Sequence, residues 1–199
     1  MLFEDETVLW RFALPRKGWW IKKVRKRIPD LKSTKNQIKK EEKEKRESWK
    51  KQRSWSVISK GVLLYVIACV HYLSSKMVFK IIPNLNVREF LQFLYQVEAT
   101  FKEEKKKIVM VLDRSGIHKG KLVEKWLNKR KGAFEFYWLP PHSGHQLNPI
   151  EGFWRCTKDA VNANRTYEAL YPLYRHTYTV LTKHREQPIY HFPWDIQSV

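Results

Sequence analysis

The 199-residue sequence is poor in cysteine, in acidic residues and in long apolar stretches. Its two cysteines, Cys69 and Cys156, have neither metal-ligand spacing nor the density of a secreted disulfide scaffold, which favours a reducing, intracellular setting. Acidic side chains at positions 4–6 interrupt the region where a signal peptide would be apolar, so we expect no secretory signal. The apolar run at residues 61–73 is too short to span a bilayer and suits a buried strand.

The shortage of acidic residues leaves the chain strongly basic. It has 39 Lys and Arg against 20 Asp and Glu, a formal net charge of +19. Such an excess indicates a polyanionic partner, nucleic acid before membrane. Residues 16–55 alone hold seventeen basic and five acidic side chains. This segment is either a solvated, partly helical insert or an arm that contacts phosphates, and both descriptions can hold together.

The order of apolar runs and turn signals predicts an α/β fold. A strand opens the chain, and "GVLLYVIACV" and "KMVFKII" form a hairpin. A helix capped by Asn86 follows, then the buried strand "IVMVL", a Lys-rich helix, the strand "FEFYWL", a helix near position 150, and further helix broken near Pro172. Strands alternating with helices imply a parallel part of the sheet, and the opening hairpin implies an antiparallel part. Ligand-binding groups gather beyond the carboxyl ends of such parallel strands.

Two acidic residues come after these predicted strands, one at a strand end and one at the start of the next helix. Asp113 ends the run "IVMVL", and Glu151 begins the helix after the strand "FEFYWL". Local chemistry gives Glu151 a structural role as well, because Asn148 suits the N-cap and Pro149 the first helical position. Its carboxylate would then reach back to the amide of Asn148 in a capping box. The local pattern leaves capping and metal binding both open for Glu151.

Three motifs in order resemble a known family. They are "EDET" in the first strand, "VLDRSGIHKG" after a buried strand and "LPPHSGHQLNPIEGFW" at a helix start. Together they resemble the DDE endonuclease domain of mariner-like transposases and their bacterial and archaeal insertion-sequence relatives. The resemblance implies a ribonuclease H-like mixed sheet flanked by helices over residues 1–170, with the basic insert at 16–55. Residues 171–199 then form a C-terminal helical or irregular tail.

The resemblance implies a site made of three carboxylates, Asp5, Asp113 and Glu151. They would be catalytic residues and ligands of two Mg²⁺ ions, with Mn²⁺ as a substitute, because hard oxygen ligands suit these ions. Glu4 and Glu6 are rivals of Asp5, but strand alternation puts both on the opposite face, and the family motif has its aspartate immediately before Glu-Thr. The implied partner is DNA, both transposon ends and target, with no membrane; a homodimer and a cytoplasmic, nucleoid-associated location fit this function.

Some features depart from the family or leave alternatives. Arg114 stands where relatives commonly have Asn, beside the second aspartate. His118 matches a family position, where we expect a rim residue that bonds to backbone or contacts phosphate. Complete relatives carry helix-turn-helix modules before the catalytic domain, and we expect this chain to lack one, as a truncated copy or a second reading frame. The main alternative to an active transposase is a catalytically inactive, basic nucleic-acid-binding remnant; a ribonuclease H-like RNA nuclease is a third.

Overall fold

The computed structural model contains one five-stranded mixed sheet with helices on both faces. It describes residues 1–12, 62–102, 106–141, 143–184 and 190–193, so the predicted basic insert at 16–55 lies outside the described residues. The strands are β1 (Leu2–Trp10), β2 (Leu63–His71), β3 (Met77–Ile82), β4 (Ile108–Leu112) and β5 (Phe134–Trp138). The helices are α1 (Val87–Phe101), α2 (Lys121–Asn128), α3 (Gly144–Leu147), α4 (Ile150–Asn162) and α5 (Leu170–Lys183).

The strands lie in the order β3-β2-β1-β4-β5. β1, β2 and β3 are antiparallel neighbours, and a short turn joins β2 to β3, whereas β1, β4 and β5 run parallel, with α2 as the crossover between β4 and β5. This confirms the predicted combination of an antiparallel hairpin with a parallel part. The β1–β4 ladder is short, pairing only Leu2 with Met110 and Phe3 with Val111. Beyond these pairs the two strands are no longer joined by the ladder.

Two apolar cores fill the space on the two faces of the sheet. On one face, α1 buries the predicted stripe Phe90, Phe93, Leu94, Val97 and Phe101 against the sheet. Asn86 caps this helix, since its Oδ1 accepts hydrogen bonds from the amides of Arg88 at 3.0 Å and Glu89 at 3.1 Å. Truncating a fully buried phenylalanine such as Phe90 to alanine costs about 3–5 kcal/mol in typical cores.

On the other face, α4 and α5 pack against β1, β2 and β3. The expected helix break near Pro172 is wrong, because Pro172 lies in the first turn of α5, where its missing amide hydrogen removes no helical hydrogen bond. Leu170, Leu173 and Leu181 of α5 belong to the same buried cluster as Phe153 of α4. The division of the chain at residue 170 stays a prediction. No helix in the described ranges is long and apolar enough to cross a membrane.

Two buried asparagines join α4 to the central strand. Asn148, which precedes the helix, donates from its side chain to the carbonyl of Glu4 at 2.7 Å, across 144 positions of sequence. Asn162, at the end of the helix, donates to the carbonyl of Trp10. Both acceptors are main-chain carbonyls of β1 that lie beyond Phe3, where β1 is no longer paired with β4. These hydrogen bonds fix the beginning of α4, and with it Glu151, over β1.

Candidate active site

The site lies where β1 and β4 separate. Because Leu2 pairs with Met110 and Phe3 with Val111, the same offset along the chain puts Asp5 level with Asp113, just past the carboxyl end of β4. Residues in register on adjacent parallel strands lie side by side, so the side chains of Asp5 and Asp113 lie near each other. The strand ends of a parallel sheet are the usual place for ligand-binding groups.

Asp5, its neighbour Glu6 and Glu151 line one open cavity of about 340 Å³. Lys158, two turns after Glu151 on α4, lines the same cavity. Burial raises the pKa of Asp5 from 3.8 to about 8, and the carboxylates of Glu151, Glu6 and Asp113 add to this increase. A carboxylic acid whose pKa rises this far lies in a place where negative charge is crowded and poorly hydrated. Such a place favours a cation.

Asp113 has a different environment from Asp5. Its side chain is about half exposed, and its Oδ1 accepts a hydrogen bond from the amide of Ser115 at 2.8 Å. The hydrogen bond from His118 lowers the pKa of Asp113, although partial burial opposes the decrease. Asp113 is not among the residues lining the cavity of Asp5 and Glu151, but its charge contributes to the raised pKa of Asp5. The fold therefore gathers the three sequence-predicted carboxylates into one electrostatically coupled region, with Asp113 at its exposed side.

Glu151 lies in the first turn of α4, as the sequence pattern predicts, but the capping box is wrong. The extra short helix α3 explains why. The amide of Asn148, which the capping box would offer to Glu151, donates instead to the carbonyl of Gly144 at 2.8 Å. The helix start is held by the Asn148 side chain, whose Oδ1 accepts from the amide of Ile150 at 3.4 Å. The carboxylate of Glu151 lines the cavity beside Asp5.

A second cluster lies on the opposite face of β1, and sequence reasoning missed it. Glu4, Glu6 and His118 bring a ligand atom each to within 4.8 Å of one another. His118 is buried, with 2% of its surface exposed, so the expectation of a rim residue is wrong; its predicted backbone contact is present, with Nδ1 lying 3.1 Å from the Asp113 carbonyl. The alternation of β1 put Glu4 and Glu6 together on one face, and the position of His118 five residues after Asp113 was the available signal.

The charges of this cluster are strongly perturbed. Burial raises the pKa of Glu4 well above its ordinary value, against the opposing effect of His118. For His118, burial would lower the pKa, but the charge of Glu4 and the close contacts with Asp113 and Glu6 outweigh burial and raise the pKa to about 11. His118 is therefore a buried cation at neutral pH, and it compensates part of the negative charge of β1 and Asp113.

The sheet order, the three antiparallel strands followed by two parallel ones, and the acidic residues at the β1–β4 opening define a ribonuclease H-like domain. It is similar to the Mos1 strand transfer complex, with 12% identity and a TM-score of 0.60 over 97% of this chain and 49% of that chain. It is also similar to the Mos1 mariner paired end complex with Mn, with 10% identity and a TM-score of 0.54 over 96% of this chain and 56% of that one. The chain thus spans about half the length of these structures.

A family description, "DDE superfamily endonuclease", matches residues 32–173. The chain belongs to this family, as the three motifs predict. The matched range contains Asp113 and Glu151 and begins after Asp5. No curated protein sequence gives a significant match to the chain.

Proposed function

We propose that this chain is the catalytic domain of a transposase that cleaves DNA strands and transfers them in a metal-dependent reaction. The observation that carries the proposal is the burial of Asp5 in a cavity against Glu151, level with Asp113 on the neighbouring strand. Three carboxylates in this arrangement repel one another unless a cation is present. The family membership and the similarity to Mos1 transposase complexes support the same chemistry.

The donor set fits divalent ions of the Mg²⁺ type. Asp5, Asp113 and Glu151 offer only carboxylate oxygens, the ligands that Mg²⁺ and Mn²⁺ prefer. A pair of such ions would activate an attacking water or 3′-hydroxyl and stabilise the leaving oxygen of a phosphodiester. Among solved relatives, one Mos1 complex is described with Mn and another with Mg. We propose two ions held by these three side chains, with Mg²⁺ as the working metal.

The chain's own residues would act on the DNA as follows. Asp5 on β1 and Asp113 after β4 lie on either side of the opening between these strands, and Glu151 in the first turn of α4 is the third carboxylate. Lys158 lines the same cavity as Glu151, and its ammonium group would bind a backbone phosphate of the strand being cut. The net charge of +19 would attract DNA of any sequence. The proposal covers the chemistry of the catalytic domain and leaves recognition of transposon ends to a separate module.

The second candidate is an inactive, basic remnant that still binds nucleic acid. The observation in its favour is Arg114, a cation immediately after Asp113. The Arg114 side chain is exposed, so it is able to reach a phosphate without entering the carboxylate cluster. Either role of Arg114 is compatible with DNA binding, and only a cleavage assay separates the two candidates. A cytoplasmic, nucleoid-associated location and homodimer formation belong to the same proposal.

The test is nicking of supercoiled plasmid by the purified chain in Mg²⁺, in Mn²⁺ and in EDTA. We expect nicking that needs metal and is lost in Asp5→Asn, Asp113→Asn and Glu151→Gln. Glu135→Gln is the matched control, because Glu135 lies on β5 in an exposed ion pair with Lys107. A structured RNA substrate run in parallel tests the RNA-nuclease alternative. Absence of metal-dependent nicking in the wild type, with DNA binding retained, would support the remnant instead.

A further inference from the structure

His118 connects the two strands that carry the proposed metal ligands. It lies in the turn after β4, and its Nδ1 is 3.1 Å from Oδ1 of Asp113. On the other side of the ring, Nε2 is 3.0 Å from Oε1 of Glu6 and 3.4 Å from Oε2 of Glu4, at ion-pair distance. One imidazole therefore bridges the residue after β4 to two residues of β1. The β1–β4 ladder stops at Phe3, short of this level, so the bridge joins the strands where main-chain pairing has ended.

The position of His118 is itself fixed. The ring is 2% exposed and packs 4.6 Å from the ring of Phe90 on α1, which belongs to the buried core of that face. Its Nδ1 also lies 3.1 Å from the main-chain carbonyl of Asp113, which limits rotation of the ring. Because these contacts fix the ring in a close-packed interior, a shift of one strand would move the other.

The bridge constrains both aspartates. The carboxylates of Glu4 and Glu6 lie beside His118, and holding them there keeps the side chain of Asp5, which lies between them, in the cavity with Glu151 that Glu6 also borders. At Asp113, Oδ1 accepts a hydrogen bond from the amide of Ser115 and lies at ion-pair distance, 3.1 Å, from Nδ1 of His118. These contacts restrict the orientation of the Asp113 carboxylate. Groups that orient ligands in this manner typically change metal affinity 10–100-fold when they are lost.

We propose that His118 is a positioning residue, which clamps the carboxylate of Asp113 to β1 so that Asp113 and Asp5 are pre-oriented for shared metal ions. This inference rests on the proposed function, since it takes Asp113 to be a metal ligand. In this role His118 orients Asp113 and contacts neither the metal nor the DNA. This role also explains why a buried Glu-Glu-His cluster lies directly behind the proposed catalytic site.

The decisive test compares two substitutions that keep different nitrogen positions of the imidazole. In His118→Asn the side-chain amide approximates Nδ1 and keeps a donor for Asp113, whereas in His118→Gln it approximates Nε2 and keeps a donor for Glu6. Both variants lose the ring contact with Phe90, so both should lower the melting temperature of the metal-free chain by similar amounts. A purely structural role predicts equal effects of the two variants on metal binding.

The measurement is Mn²⁺ binding to the whole chain, by calorimetry or by the electron paramagnetic resonance signal of free Mn²⁺. We expect His118→Gln, which loses the contact with the Asp113 ligand, to weaken Mn²⁺ binding about 10–100-fold, and His118→Asn, which loses only the contact with Glu6, to weaken it about three- to tenfold. His176→Gln is the matched control, because His176 contacts Arg165 and Tyr167 outside the cluster. Equal Mn²⁺ affinity of the two His118 variants would overturn the inference. Loss of one bound Mn²⁺ per chain, rather than weaker binding, would also overturn it by making His118 a ligand.

A second pair of variants keeps the test usable if substitutions at the buried histidine prevent folding. Glu6→Gln and Glu6→Ala remove the same charge, but only glutamine keeps an oxygen near Nε2. We expect weaker Mn²⁺ binding by about three- to tenfold in Glu6→Ala relative to Glu6→Gln; equal affinities would contradict the clamp. If the wild type binds no Mn²⁺, or Asp113→Asn leaves binding unchanged, the proposed function and this inference both fail. If Asp113→Asn abolishes binding while the paired variants are equal, only the inference fails.

Discussion

Replacing Asp5 by asparagine should stabilise the metal-free protein and at the same time abolish its response to Mg²⁺. Burial in the cavity raises the pKa of Asp5 from 3.8 to about 8, and the negative charges of Glu151, Glu6 and Asp113 add to the increase. Asparagine has nearly the same shape and carries no charge, so it removes this repulsion. It also removes a carboxylate that we propose binds the metal.

The sign and the magnitude follow from linkage. Between pH 4 and 8 the folded chain keeps a proton on Asp5 that the unfolded chain has released, so the free energy of unfolding falls as the pH rises through this window. From pH 5 to pH 8 this amounts to at most about 4 kcal/mol, at about 1.4 kcal/mol per pH unit. Water entering the open cavity screens the carboxylates, and we expect Asp5→Asn to gain about 2 kcal/mol more at pH 8.5 than at pH 5.

The assay is urea unfolding of the wild type and Asp5→Asn in EDTA at pH 5 and pH 8.5, repeated with Mg²⁺. With Mg²⁺ at about 100 times its dissociation constant, the wild type should gain about 3 kcal/mol and the variant almost nothing. Glu135→Gln serves as the control, since loss of its exposed ion pair with Lys107 should change stability by less than about 1 kcal/mol.

A gain in Asp5→Asn that is the same at both pH values would refute the reasoning, because the repulsion would then not depend on ionisation of Asp5. So would a Mg²⁺-dependent gain in Asp5→Asn as large as that of the wild type. The first outcome would contradict the electrostatic description of the cavity, and the second would contradict Asp5 as a metal ligand.

Three further predictions concern α4 and the basic surface. Glu151→Gln should change stability by well under about 1 kcal/mol, because Asn148 donates its amide to Gly144 and no capping box is lost, while metal-dependent nicking disappears; a thermal melt showing a loss typical of a helix cap would contradict this. Asn148→Ala should destabilise the chain by about 1–3 kcal/mol in urea unfolding, since it leaves the buried carbonyl of Glu4 without its donor, and an unchanged midpoint would count against it. Duplex DNA binding should weaken steeply with salt and depend little on sequence, with a slope near −0.9 per phosphate contact. Lys158→Ala should reduce that slope by about one; a strong preference for one sequence would contradict the electrostatic description.

The sequence by itself determined the main order of strands and helices and the family. Continuous apolar runs such as "IVMVL" gave buried strands, and the helical spacing from Phe90 to Phe101 gave the core-facing stripe of α1, because burial follows periodicity. Alternation along β1 put the carboxylates of Glu4 and Glu6 together beside His118, since every second side chain of a strand points to the same face, although Glu6 also borders the cavity of Asp5. The three motifs identified the family that the comparisons confirm.

Tertiary structure decided the contacts that no local pattern encodes. The predicted capping box of Glu151 is absent because the amide of Asn148 donates to the carbonyl of Gly144 in α3. At Gly152 of α4, the ring of Tyr190 packs where a β-carbon would lie, so a side chain there would displace that ring. His118 became a buried bridge because β1 and β4, more than a hundred residues apart in sequence, lie side by side and their ladder ends just before the site. Such contacts depend on long-range strand pairing, which periodicity along the chain does not specify.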